Sequence, residues 1–62
     1  MEIAVFIVAP NGILTDDMVS DSETEIFFDQ QDADDAAKES GPNAKVFLAV
    51  TLFFKENFTP VD

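Results

Sequence analysis

The chain reads as a small α+β domain of order β-β-α-β, with a three-stranded, mainly antiparallel sheet and one helix on one face. Three observations carry that reading. Three runs are rich in β-branched and aromatic residues, a single segment has helical spacing, and 62 residues leave room for one domain only. The domain therefore spans 1–62, and its tail, 57–62, either folds back or stays loose.

The first strand covers residues 2–9. Ile3, Val5 and Ile7 alternate with Glu2, Ala4, Phe6 and Val8, so both faces are largely apolar and the strand is central. Pro10-Asn11-Gly12 marks a turn. Ile13 to Asp21 shows no sustained period and reads as a loop, with one helical turn that Thr15 can cap. The second strand, 22–28, places Thr24, Ile26 and Phe28 on one side. Glu23, Glu25 and Phe27 occupy the other, and Asp21 and Asp29 extend that acidic row.

The helix spans 30–40. Asp29 caps it, with Asp32 at the third helical position, and the macrodipole favours Asp32, Asp34 and Asp35 in its N-terminal half. Ala33, Ala36, Ala37 and Ser40 form a stripe of small residues that suits close docking on a sheet. Gly41 supplies a left-handed stop and Pro42 prevents continuation. The third strand covers 44–55. A right-handed crossover then gives strand order 2-1-3.

One helix covers one sheet face. Taking Ile3, Val5, Ile7, Ile26, Phe28, Val46, Leu48, Val50 and Leu52 as the covered set leaves Ala4, Phe6, Val8, Phe27, Phe47, Ala49 and Phe53 on the other. An open face with several aromatic rings is an interaction surface. The 13–21 loop, the Phe58 tail or another molecule could cover it. The loop is short of bulky residues and rich in Asp, so at least partial cover of Phe6, Phe27, Phe47 and Phe53 by a partner or a second copy of the chain is expected.

Composition excludes several functions. Thirteen Asp and Glu face three Lys and no Arg, a formal net charge of -10. Direct binding to nucleic acid or to an anionic membrane lacks the cations it needs. No run reaches the length of a membrane span, and the apolar N-terminus lacks the basic flank of a signal peptide. With no His and no Cys, the usual bases and thiolates are missing, so no enzyme and no cofactor is expected. No register of the Asp residues fits a calcium loop, and no metal site is expected. The absence of Cys fits the cytoplasm.

The acids themselves are the candidate site. Asp21, Glu23, Glu25, Asp29, Asp32, Asp34, Asp35 and Glu39 crowd the middle of the chain, while the three Lys lie in the C-terminal half. A basic groove built for a phosphate backbone could accept such carboxylates, with the Phe side chains as apolar anchor. The order β-β-α-β, the size, the acid excess and the missing catalytic residues resemble, in outline over Met1 to Lys55, small phage-encoded inhibitors of host nucleic-acid machinery. These are the anti-CRISPR, anti-restriction and RNA-polymerase-inhibiting proteins, some of which imitate nucleic acid. The resemblance implies a non-catalytic inhibitor docking on a basic, nucleic-acid-binding host protein in the host cytoplasm. Two other readings stand beside it: a homo-oligomeric assembly protein joined through the Phe face, and an ordinary domain adapted to salty cytoplasm.

Self-repulsion at this charge opposes compaction. The melting temperature is therefore expected to rise as salt shortens the screening length from about 30 Å to about 8 Å. A thermal melt that does not move over that range would mean the carboxylates are already compensated.

Overall fold

Apolar side chains at every position of Val5–Ala9 give a strand that must be covered on both sides. In the computed structural model, which describes residues 3–50 and 54–61, this strand is β1. It is followed by α1 (Asp16–Ser20), α2 (Gln30–Ser40), β2 (Lys45–Ala49), a 3-10 turn (Lys55–Asn57) and β3 (Thr59–Pro60). The sheet is antiparallel in order β1-β2-β3, which with α2 makes a small α+β fold.

Register decides which residues meet the helix. Phe6 lies opposite Leu48, Ile7 opposite Phe47 and Val8 opposite Val46. Residues directly opposite share a face. Phe6, Val8, Val46 and Leu48 therefore turn one way, and Val5, Ile7, Phe47 and Ala49 the other. The sequence pattern groups Val5 and Ile7 with Val46 and Leu48, and the register corrects that grouping. A one-residue difference in register exchanges every side chain between faces, and hydrophobic pattern alone could not choose because both faces are apolar.

Helix α2 roofs the face of Phe6. Asp29 caps it by accepting a hydrogen bond from the Gln31 N–H at 2.9 Å. Ala33, fully buried, packs with Phe6 and Val46, and Ala37 joins them. Small side chains let the helix backbone approach the sheet closely enough to cover a phenylalanine ring. At the far end Gly41 donates its N–H to the Ala37 carbonyl. Its φ of 129° and ψ of 176° put it in the mirror image of extended backbone, not in the left-handed helical stop expected. Glycine alone enters that region readily.

The opposite face is covered too, by the 13–21 loop and the Phe58 tail, two of the three covers the sequence leaves open, and not by the partner it favours. Leu14, from the loop after β1, and Phe58, from the tail, are buried against Ile7 and Ala49, with Met18, Val19 and Phe47 packed around them. Met18 and Val19 reach this core because α1 forms: the Thr15 hydroxyl accepts from the Met18 N–H at 3.3 Å, and Asp16 and Asp17 occupy the first turn. The tail is therefore not loose over 58–61. Phe58 is core, β3 pairs with β2, and the Val61 N–H donates to the Val46 carbonyl at 3.0 Å. Pro60, opposite Phe47, directs its missing N–H to the outer edge, where it blunts the sheet against further pairing.

The segment 22–28 is not a full strand. The Asp21 carboxylate accepts from the Glu23 N–H at 2.9 Å and the Asp21 carbonyl accepts from the Thr24 N–H at 3.2 Å. That turn captures the backbone a strand would need. Only Phe27 reaches β1, exchanging both hydrogen bonds with Phe6 at 2.8 and 2.9 Å. Across the sheet the order is thus the Phe27 bridge, β1, β2 and β3. The expected 2-1-3 neighbours persist with the second strand reduced to one bridge. The third strand ends at Ala49 within the described residues instead of running to Lys55, and the tail adds an edge.

The turn after β1 sets one strict requirement. Gly12 donates to the Ala9 carbonyl at 3.0 Å with φ at 80°, and a Cβ there would stand 2.9 Å from the Asn43 carbonyl oxygen. Gly12→Ala is expected to cost about 1–3 kcal/mol in urea unfolding. Unchanged stability would contradict the close approach of the 10–12 turn to the loop before β2.

Candidate acidic and apolar interface

Among the described residues no polar or charged side chain is buried. The acids are surface groups, and ten of the thirteen lie between Asp16 and Glu39, with Lys38 as the only cation in that stretch. Two of them have local structural work. Asp21 closes the turn after α1, and Asp29 caps α2. Asp32, Asp35 and Glu39 are exposed on α2, and Asp34 is half-buried. Glu23 and Glu25 are exposed but belong to a turn and an irregular segment, so they do not form the strand-spaced row that alternation predicts. The structure therefore keeps every predicted acid at the surface and discards the linear arrangement.

The predicted apolar set fares differently. Phe6 lies 7% exposed beneath α2, Phe27 is half-buried in the same core, and Phe47 is half-buried in the opposite one. These three rings hold the domain together and present no open face. Phe53 lies outside the described residues.

Other side chains form the exposed apolar surface. Phe28 is 71% exposed, Phe54 56% and Ile26 50%. Phe28 sits just before the cap Asp29, where a staple to the residue four positions into the helix would normally cover it. That residue is Ala33, which is small and is committed to Phe6 and Val46. Phe28 and Ile26 instead wall a groove of about 120 Å³ with Val5, Ile7, Val19 and Phe58. Val19 also lines a shallower depression of about 350 Å³ shared with Asp16, Ser20, Phe54, Lys55 and Glu56. The apolar surface is thus continuous through Val19, and Asp16, Glu56 and Lys55 border it.

Sequence reasoning missed this groove because it counted Ile26 and Phe28 as helix-covered. One signal was available: a large ring before the cap with alanine at the staple position has nothing to fold onto. A third depression, about 490 Å³, lies at the end of α2 between Ala37, Lys38, Gly41, Pro42 and Ala44. Among the described residues no three acids converge so as to hold a metal ion, and no helix is long and apolar enough to cross a membrane. The chain matches no family model, no curated protein and no solved structure.

Proposed function

We propose that the chain is a non-catalytic, acidic protein-binding module that docks on a basic, nucleic-acid-binding protein and occupies the surface that nucleic acid would use. The observation that carries this reading is the disposition of charge. The domain closes both faces of its sheet with its own side chains, and Asp21 and Asp29 are the acids its turns and caps use. The other described acids remain at the surface, on a chain of net charge -10. That excess works against the fold, and it attracts cationic surfaces over long range. It exceeds what solubility asks of so small a domain.

The non-catalytic part rests on chemistry. No His and no Cys are present to serve as base or nucleophile. The inhibitor role follows the resemblance to small phage-encoded proteins and supplies the class of partner. The packing of Phe6, Phe27 and Phe47 within the domain favours this reading over a homo-oligomer joined through those rings.

Immobilised chain is expected to retain nucleic-acid-binding proteins from a host lysate at low salt. Double-stranded DNA should displace them. The triple variant Glu23→Lys, Glu25→Lys and Asp35→Lys should fail to retain them while melting at or above the parent temperature, because all three side chains are exposed and their reversal relieves self-repulsion. Retention that survives both DNA and charge reversal, or retention of no protein at all, would overturn the proposal.

A further inference from the structure

Among the described residues an apolar groove of about 120 Å³, walled by Ile26 and Phe28, stays open after both cores close. Its floor is fixed, since Val5, Ile7 and Phe58 are buried core residues. Its walls are large side chains that stand half or more exposed. A cavity of about 150 Å³ lined by Leu, Ile and Phe accepts benzene. The groove is therefore the right size for one aliphatic side chain or the edge of one ring. Its lining is wholly apolar, so a polar group inserted there would lose its hydrogen bonds to water without replacement.

The surroundings select what can carry that side chain. Glu25 adjoins Ile26 and Asp29 adjoins Phe28 in the chain, and both are exposed. Asp16 lies one helical turn before Val19 and borders the neighbouring depression with Glu56, two acids against the single cation there, Lys55. Taking the acidic docking function as its basis, we infer that the groove receives an apolar side chain from a cationic segment of the partner, a Leu, Ile, Met or Phe flanked by Lys or Arg. The flanking cations meet the border carboxylates while the apolar group fills the groove. A second copy of the chain is the poorer occupant. A two-fold contact sets the same patch against itself, so Glu25, Asp29 and Asp16 would face their own equivalents on a molecule already at -10. A neutral apolar segment would cover those carboxylates without pairing them.

Three synthetic peptides titrated into the full chain at low salt test this by NMR: Lys-Lys-Leu-Lys-Lys, the same peptide with Ala at the centre, and Ser-Ser-Leu-Ser-Ser. The Leu-centred cationic peptide is expected to shift the side-chain signals of Val19, Ile26 and Phe28. It should bind about tenfold more tightly than its Ala-centred version, from the added apolar burial. Phe28→Ala should erase that difference, and Glu25→Lys should weaken both cationic peptides. Both side chains are exposed, so neither variant threatens the fold, and the comparison of peptides needs no variant at all. Equal affinity of the Leu- and Ala-centred cationic peptides, with no shift at Ile26 or Phe28, would overturn the groove assignment and leave the acidic module standing. Equal binding of the Ser-flanked and Lys-flanked peptides would overturn the cationic occupant and the acidic reading together, as would no binding of any peptide. Concentration-dependent shifts of Ile26 and Phe28 without peptide would assign the groove to a second copy and overturn the inference.

Discussion

Strand β1 must be buried on two sides, and a chain of this length has one substantial helix with which to do it. Phe6 and Val8 point to one side, and Val5, Ile7 and Ala9 to the other. Helix α2 answers the first demand through an alanine stripe that admits a ring beneath it. The second is answered by pieces: Leu14 from a loop, Met18 and Val19 from a one-turn helix, and Phe58 from the tail. Each piece is held by a local device. Thr15 caps α1, Gly12 turns the loop, and the 3-10 turn at Lys55–Asn57 brings Phe58 under the sheet. Small domains bury a modest fraction of their surface, so no large side chain can be wasted. That economy explains why the tail is part of the core.

Closure of both faces changes the meaning of the surface. An open aromatic face would have made partner binding a requirement of folding. With the core complete, the exposed groove walls Ile26 and Phe28 and the acids other than Asp21, in its turn, and Asp29, at its cap, are free for binding, while Val5, Ile7 and Phe58 floor the groove as core. Surface carboxylates contribute little to stability and repel one another. The proposed docking function and the fold are therefore separable, and substitutions at exposed acids can alter one without the other.

Much of this was legible in the residues, and the failures have physical causes. The helix bounds 30–40, the Asp29 cap and the Thr15 cap follow from side-chain chemistry that acts within a few residues, and the structure has them as expected. The α+β class follows from the same local signals. Register does not. Strands that are apolar on both faces carry no alternation to fix which set meets the helix, and the reading chose the wrong set. The 22–28 segment failed for a different reason. Its alternation is real, but the Asp21 turn competes for its backbone N–H groups and wins. Of the candidate site, the acids were visible from composition. The groove was not: Ile26 and Phe28 share a face with Val5 and Ile7 as alternation places them, but the helix roofs the other face, and distant pairing decides that.

The central claim is that the tail closes the second face of the sheet through Phe58. Urea unfolding of Phe58→Ala, set beside Phe54→Ala four positions earlier, tests it directly. A buried Phe→Ala change costs about 3–5 kcal/mol. A domain of this size has roughly 3–9 kcal/mol in total. Phe58→Ala should therefore lose most of its cooperative transition, while Phe54→Ala, 56% exposed, should stay within about 0.5 kcal/mol of the parent. Small and equal effects at both positions would contradict the account.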